Sequence, residues 1–198
     1  MSEIKLEIPG YRIEHVLGKG AMGTVYLAEQ LSLGRPVALK VLKLAEDDQR
    51  NPELEIRFKR EGQALARLNH SHIVALYSVG IDPAYYIAME YAAGGTLADR
   101  IQPGGLEPKR ALLILKAIVD ALGYMHKKSM VHRDLKPRNI LFRDNENPLL
   151  ADFGITKLLD ERTITRADAR MGSPAYMSPE QVRGKAVDAR SDLYSLGI

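Results

Sequence analysis

Clustered and alternating apolar residues in the first half of the chain predict strands around a single helix. Residues 11–30 form two predicted strands on either side of a loop at 18–23, and residues 36–42 form a third, rich in Val, Leu and Ala. Residues 73–79 and 85–91 predict two more strands. Gly94-Gly95 then breaks the pattern and is a candidate hinge between two lobes.

A helical period separates the third and fourth predicted strands. Asn51-Pro52 is a typical helix start, and Leu54, Phe58, Leu65 and Leu68 follow on one face of a helix ending near residue 69. Glu61 shares that face, where a carboxylate is costly unless it is paired. Its natural partner is Lys40 in the third strand, although a position at the rim of the apolar stripe is an alternative. Gly62 would cost this helix roughly 1 kcal/mol relative to Ala, and we expect it to make the Glu61 segment mobile.

The second half of the chain has helical character. Pro108 lies near the start of a long predicted helix. One face of that helix is predicted to carry Ala111, Leu115, Ile118, Leu122 and Met125. Residues 140–142 and 149–151 predict a short hairpin. The order of elements therefore predicts an α+β protein, with a strand-rich lobe followed by a helix-rich lobe.

Composition excludes several classes of function. The chain is 45% hydrophobic and 27% charged with a net charge of +3, and its basic residues are spread out, which favours neither nucleic-acid nor membrane binding. The absence of cysteine excludes disulfides, thiolate metal sites and a cysteine nucleophile. The N-terminus does not resemble a secretory signal, and Lys116 and Asp120 interrupt the most apolar stretch. We therefore expect a cytoplasmic location.

The glycines at 18, 20 and 23 form the first candidate site. A tight hairpin turn is the alternative interpretation, because this spacing alone is a weak signal. A dinucleotide-binding loop would open a helix, whereas Gly23 is followed by strand-forming residues. Three glycines between two strands let backbone N–H groups approach phosphates, so the loop is predicted to cover a nucleotide.

Polar clusters further along the chain strengthen that interpretation. His132-Arg133-Asp134-Leu135-Lys136-Pro137-Arg138-Asn139 places an acid, bases and an amide in one loop, and Asp152-Phe153-Gly154 follows the predicted hairpin. Each could be an ordinary polar turn in isolation, and Lys40 alone could simply be solvated. Their order along one chain makes that interpretation untenable.

These motifs resemble the protein-kinase family. Gly18-x-Gly20-x-x-Gly23-x-Val25, the strand ending in Lys40, the Asp134 loop, Asp152-Phe-Gly and Ser178-Pro-Glu180 occur in the family's order, from about residue 11 to residue 198. Lys136 and the segment 172–176 are similar to the Ser/Thr branch, and the glycine loop and residues 176–181 to its bacterial members.

The resemblance implies a two-lobed protein-kinase-like fold. Residues 1–10 would be an N-terminal extension and 11–198 the kinase domain, with an N-lobe at about 11–91, a hinge at about 90–95 and a partial C-lobe at about 96–198. The N-lobe would be an antiparallel sheet with one helix, and the C-lobe would be mostly helical and incomplete. Ser178 departs from the family's usual Ala before Pro-Glu.

The resemblance also implies ATP and Mg²⁺ as cofactors and assigns roles to residues. Asp134 would accept the substrate's hydroxyl proton, Lys136 would steady the transferred phosphate, and Asn139 and Asp152 would hold the metal. The adenine would lie between Val25, Ala38 and Leu141, with Met89 behind it. The implied ATP-binding residues are Leu17, Gly18, Lys19, Gly20, Ala21, Met22, Gly23, Thr24, Val25, Ala38, Lys40, Glu61, Met89, Glu90, Ala92 and Leu141.

The family pattern further implies protein substrates that carry Ser or Thr and control by phosphorylation at Thr163 or Thr165, with Arg133 as the phosphate's partner. Self-association for trans-autophosphorylation is expected, whereas a nucleic-acid partner and a membrane segment within this chain are not. Membrane tethering would require a region beyond residue 198.

Two other functions remain open. A small-molecule phosphotransferase of related fold is disfavoured by residues 155–180, which resemble an activation loop and a peptide-docking platform. A non-catalytic nucleotide-binding scaffold is disfavoured by the intact Lys40, Asp134, Asn139 and Asp152, but favoured by the expected incompleteness. In relatives, Asp192 braces the catalytic loop and Glu180 pairs with an arginine of a later helix. We expect residues 1–198 alone to be neither stable nor active.

Overall fold

A computed structural model describes residues 6–44, 51–101, 105–152 and 174–198. It contains two compact units. The first comprises the described residues up to Arg67 together with Ala75–Tyr91, and the second comprises Leu68–Val74 together with the described residues from Ala92 to Ile198. Leu68–Val74 therefore belong to the second unit, although they lie in sequence between the two parts of the first.

The first unit is built on an antiparallel sheet with the strand order β1-β2-β3-β5-β4. The strands are β1 (Tyr11–Gly20), β2 (Gly23–Gln30), β3 (Arg35–Leu42), β4 (Leu76–Gly80) and β5 (Tyr86–Glu90). These confirm the predicted strands with one shift, because β4 begins three residues later than expected. Ile73, the expected start of β4, instead forms a parallel bridge with Leu150 in the second unit.

One face of this sheet carries an apolar core. Val37 and Leu39 of β3 are fully buried and pair with Ala28 and Ala88 of the neighbouring strands. Ile8 packs against the same cluster from the segment before β1. Since successive side chains alternate between faces, the residues between these positions point to the opposite side of the sheet.

Helix α1 (Pro52–Ala66) begins where the sequence predicts. The Asn51 side chain caps it by accepting hydrogen bonds from the backbone N–H groups of Glu53 and Leu54, at 3.1 and 3.4 Å. Phe58 is buried, and its ring meets that of Tyr85 edge-on with centroids 5.1 Å apart. The helix ends three residues earlier than predicted, so Leu68 lies beyond it.

Gly62 has a packing role that differs from the expected mobility. It is buried on α1, and a Cβ added to it would lie only 2.6 Å from Cγ1 of Val79 in β4. The missing side chain therefore lets the helix approach the strand closely.

The second unit contains α2 (Leu97–Arg100), α3 (Pro108–Lys127), the hairpin β6 (Ile140–Phe142) and β7 (Pro148–Leu150), α4 (Pro179–Val182) and α5 (Ala189–Gly197), with 3₁₀ turns at Pro137–Asn139 and Pro174–Tyr176. The long helix and the hairpin confirm the sequence interpretation. Among the described residues, no helix combines the length and the apolarity needed to cross a membrane.

The buried face of α3 is rotated from the predicted one. Leu115 is 42% exposed and Ala111 is only half-buried, so the prediction that both lie on the buried face is wrong. The buried stripe packs towards β7, where Leu149 and Leu150 are fully buried. It consists of Ile114, Ala117, Ile118, Ala121, Leu122 and Met125.

Candidate active site

The glycine loop lies where β1 turns into β2. Gly23 has φ +149°, and an added Cβ would lie 2.1 Å from the Val41 carbonyl oxygen, so this position requires glycine. Around Gly18, an added Cβ would meet no described atom within 4 Å, and around Gly20 only the Gly23 oxygen at 3.8 Å. The first two glycines thus face open space where a phosphate could approach the backbone.

Strand register brings four of the predicted nucleotide-binding residues together. Val25 of β2 is paired with Lys40 of β3, and Ala38 is paired with Met89 of β5. Directly paired residues, and residues two apart in a strand, share a face, so these four side chains lie opposite the apolar core. Lys40 is buried, with 6% of its surface exposed. Glu61 is half-buried on α1, and its pairing with Lys40 stays a prediction.

In the second unit, the predicted catalytic residues form one hydrogen-bonded cluster. Lys136 Nζ lies 2.8 Å from Oδ2 of Asp134. Asn139 Nδ2 donates to the same Oδ2 at 2.9 Å and to the Asp134 backbone oxygen at 2.7 Å. An ammonium and an amide therefore hold the Asp134 carboxylate in one orientation.

His132 links this loop to the strand that leads into Asp152. It is fully buried; its Nε2 lies 2.9 Å from the Ala151 oxygen, and its Nδ1 lies 3.3 Å from the Asp134 backbone N–H. A carbonyl can only accept and an N–H can only donate, which assigns the neutral Nε2–H tautomer. Burial lowers the pKa of His132, partly offset by its bond to Ala151.

Asp192 of α5 braces the catalytic loop, which confirms the expectation from sequence. Its carboxylate is buried and accepts the backbone N–H of His132 through Oδ2 and that of Arg133 through Oδ1, both at 2.8 Å. His126 Nε2 adds a third contact to Oδ2 at 2.8 Å. Arg133 is held with φ +66°, a conformation that non-glycine residues rarely adopt.

The predicted metal ligands lie on adjoining backbone segments. The Ala151 N–H donates to the backbone oxygen of Asn139 at 2.9 Å, and Asp152 follows Ala151 directly. Because Asn139 Nδ2 faces Asp134, its amide oxygen points away from that carboxylate. An amide oxygen and a carboxylate fit Mg²⁺, which prefers oxygen ligands completed by substrate phosphates. In the part of the chain that the structure describes, no cluster of three or more His, Asp or Glu side chains could bind a metal by itself.

The glycine pair after the first unit packs on β6. The Gly94 N–H donates to the Phe142 backbone oxygen at 2.8 Å, and the Phe142 N–H donates to the Gly95 backbone oxygen at 2.9 Å. Thr96 bridges Leu141, a predicted adenine contact. Sequence reasoning missed Arg100, whose guanidinium stacks 3.5 Å from the Phe142 ring centre and donates to the Gly94 oxygen at 2.7 Å.

The Ser178 segment also contains contacts that the sequence interpretation missed. Ser178 is fully buried and caps α4 in a reciprocal capping box with Gln181, a pattern readable from a serine followed three residues later by glutamine. Glu180 accepts a hydrogen bond from the Ser191 hydroxyl of α5, and this bond lowers the pKa of Glu180. Thr163, Thr165, Phe153 and Gly154 lie outside the described residues.

Fold and site together define a protein kinase domain, and the chain belongs to that family. The family model for the protein kinase domain matches residues 11–198. The chain is 45% identical over 190 residues to serine/threonine-protein kinase PrkC of Bacillus subtilis and 43% identical over 195 residues to PknB of Mycolicibacterium smegmatis.

These matches cover 95% and 94% of the chain but only 29% and 31% of those relatives. The chain thus spans about a third of the length of the curated relatives that it matches. Among solved structures, a point mutant of the PknI kinase domain of Mycobacterium tuberculosis matches with a TM-score of 0.76 and 34% identity, over 96% of this chain and 72% of that one. These relatives confirm the predicted bacterial branch of the Ser/Thr kinases.

Proposed function

We propose that this domain transfers the γ-phosphoryl group of ATP to Ser or Thr hydroxyls of protein substrates. The observation that carries the proposal is the Asp134 cluster, in which Lys136 and Asn139 orient one carboxylate. In the transfer, the hydroxyl oxygen bonds to the γ-phosphorus, the bond to the β–γ bridging oxygen breaks, and Asp134 takes the hydroxyl proton. The products are ADP and a phosphorylated side chain.

The first unit would position the nucleotide. The backbone at Gly18 and Gly20 would approach the phosphates, and Lys40 would contact the α- and β-phosphates with Glu61 as its partner. Val25, Ala38 and Leu141 would contact the adenine. The backbone of residues 90–92 would bond the adenine edge, and Met89 would limit the depth of the pocket. The shared face of Val25, Ala38, Lys40 and Met89 supports this assignment.

The second unit would hold the metal and the reacting groups. Asn139 and Asp152 would be the protein ligands of Mg²⁺, which supplies neutralisation of phosphate charge when bound. Lys136, whose Nζ lies 2.8 Å from Oδ2 of Asp134, would contact a phosphoryl oxygen of the transferred group. Catalysis would then depend mainly on positioning and charge, since little covalent chemistry falls to the protein.

Regulation and location are further parts of the proposal. A phosphate on Thr163 or Thr165 would pair with Arg133, next to the catalytic aspartate, and self-association would allow one copy to phosphorylate another. A cytoplasmic location would give access to ATP and fits the absence of cysteine. The names of the relatives, which are Ser/Thr protein kinases, support protein rather than small-molecule substrates.

A test of the activity is Asp134→Asn in the full-length gene product. This change preserves shape but removes the proton acceptor, so we expect kcat to fall by about 10²- to 10⁴-fold while ATP affinity changes little. Asp120→Asn makes the same chemical change at a carboxylate that is 71% exposed on α3, and serves as the control. Transfer at the wild-type rate by Asp134→Asn would show that Asp134 is not the proton acceptor.

Phosphorylation of the two threonines is tested in the same preparation. Mass spectrometry after incubation with ATP and Mg²⁺ should find phosphate on Thr163 or Thr165, and a double alanine variant should lose activity towards added substrate. Phosphate at neither position, or full activity of the double variant, contradicts this part of the proposal.

A further inference from the structure

Gln181 connects the start of α4 to the backbone immediately before the catalytic aspartate. Its side-chain Nε2 donates to the Arg133 backbone oxygen at 2.7 Å, and its Oε1 accepts the Ser178 N–H at 3.0 Å. An amide nitrogen only donates and an amide oxygen only accepts, so these partners leave the side chain one orientation. Glutamine is therefore matched to the position, whereas a carboxylate or an apolar side chain of the same length is not.

The Arg133 oxygen belongs to the peptide plane that joins Arg133 to Asp134. The N–H of that plane is the Asp134 N–H, which lies 3.3 Å from Nδ1 of His132. Gln181 holds one edge of the plane and His132 holds the other. The preceding N–H, that of Arg133, is bonded to Asp192 at 2.8 Å.

The residue that precedes this plane, Arg133, is held in an unfavourable backbone conformation. Arg133 has φ +66°, which for a residue with a side chain persists only when its surroundings impose it. Asp192 bonds the N–H before the Arg133 α-carbon and Gln181 bonds the carbonyl after it, so the backbone is held on both sides of this residue. Rotation of the plane would turn the Asp134 carboxylate away from Lys136 and Asn139.

We propose that Gln181 is a positioning residue for phosphoryl transfer. It aligns the peptide plane before Asp134 and makes that alignment depend on the seating of the Ser178–Gln181 segment. Order in the segment that carries α4 would thereby be transmitted to the proton acceptor. The inference rests on the proposed kinase activity and adds a residue that touches neither nucleotide nor acceptor.

The test compares Gln181→Glu with Gln181→Met in the full-length gene product. Glutamate keeps the acceptor for the Ser178 N–H, so the cap of α4 is retained, but its carboxylate cannot donate to the Arg133 oxygen. At pH of about 8 we expect kcat of Gln181→Glu to fall by about tenfold or more, with KM for ATP within about twofold of wild type. Gln63→Glu, at an exposed site on α1, is the matched control and should leave both constants unchanged.

Acidification distinguishes positioning from general damage. A protonated glutamate can donate to the Arg133 oxygen, and the nearby carbonyl raises the pKa of that introduced carboxyl group by disfavouring its charged form. The kcat ratio of Gln181→Glu to wild type should therefore rise as the pH falls from about 8 to about 5.5. The ratio for Gln181→Met should stay low and flat. His132, Arg133, Asp134, Lys136, Glu180 and Asp192 are present in every variant, and Gln181→Met reports how their own titration changes kcat when position 181 cannot ionise.

The possible outcomes separate the proposed kinase activity from the proposed role of Gln181. A wild-type protein without transfer activity removes the proposed function itself. A wild type that is active beside a Gln181→Glu variant with unchanged kcat, or with a ratio that does not change with pH, removes only the role of Gln181. If Gln181→Met fails to fold, as thermal unfolding would show, the pH dependence of Gln181→Glu still decides the question.

Discussion

At the scale of single residues, the protonation of His132 is central to the catalytic loop. The imidazole has no exposed surface, and its Nδ1 faces the Asp134 N–H, a donor that requires an unprotonated nitrogen. Protonation would place a second N–H against the Asp134 N–H and would bury a charge. The loop geometry at Asp134 therefore depends on a neutral His132.

The first prediction follows from the lowered pKa of His132. In the unfolded chain a histidine titrates near 6.5, so as the pH falls below about 6.5 the unfolded state takes up the proton first. Stability contributed by neutral His132 is present above that pH and is lost as the pH falls towards the lower pKa of the folded state.

Imidazole NMR signals of His132 should show the neutral Nε2–H form in the folded protein at pH of about 6, and ordinary titration near 6.5 in denaturant. The unfolding midpoint should also be lower at pH of about 5.5 than at about 7.5. A folded-state titration at or above that of the denatured chain would contradict the assignment.

At the scale of elements, the approach of α1 to the sheet is set by one missing side chain. A Cβ on Gly62 would lie 2.6 Å from Cγ1, 2.8 Å from Cγ2 and 3.2 Å from Cβ of Val79. Both branches of the valine are in the way, so a rotamer change cannot relieve the clash. The neighbouring Glu61 is carried on the same turn, and its position relative to β3 depends on that approach.

The second prediction is that Gly62→Ala destabilises the protein. Overpacking a core costs about 1–3 kcal/mol, and with two contacts under 3.0 Å we expect a cost in the upper part of that range, above the roughly 1 kcal/mol that alanine gains in helix propensity. Gly123→Ala in α3 is the matched control, because an added Cβ there meets no described atom within 4 Å, and it should stabilise by up to about 1 kcal/mol.

Denaturant unfolding measures both changes, and Gly62→Ala combined with Val79→Ala should recover part of the loss that the clash causes. Equal stabilisation by the two glycine substitutions would show that the contact with Val79 is not limiting.

The sequence was most informative where chemistry is local. The strands, the cap at Asn51 and the clustering of Lys136 and Asn139 on Asp134 follow from short-range patterns. It was least informative where a tertiary neighbour decides. Leu115 has the same apolar character as Ile114, but Ile114 lies in the stripe that packs towards β7, whereas Leu115 is 42% exposed. Gly62 likewise is unfavourable by helix propensity alone, and its packing role depends on Val79, a neighbour that no local pattern predicts.

At the scale of the whole molecule, the second unit exposes large apolar side chains on two of its helices. Leu112, Leu115 and Val119 follow one side of α3 and are 65%, 42% and 47% exposed. On α5, Leu193 and Tyr194 are 55% and 43% exposed. Scattered apolar residues are normal on a surface, but apolar residues that follow a helix face at steps of three and four form a continuous strip. Leu122 of the same helix is buried and is not part of this strip.

The last prediction concerns a polypeptide of residues 1–198 by itself. Its exposed strip on α3 should bind a hydrophobic dye and promote self-association at micromolar concentration, with a broad thermal transition and little ATP turnover. Leu112→Gln combined with Leu115→Gln interrupts the strip without touching the buried face of α3, and should reduce both dye binding and association. Leu31→Gln is the control, since Leu31 is 54% exposed and belongs to the first unit, and it should leave both signals unchanged. Fluorescence titration and sedimentation velocity measure the two effects. A monomeric, dye-free chain with cooperative unfolding and substantial turnover would show that residues 1–198 are sufficient for a stable and active kinase.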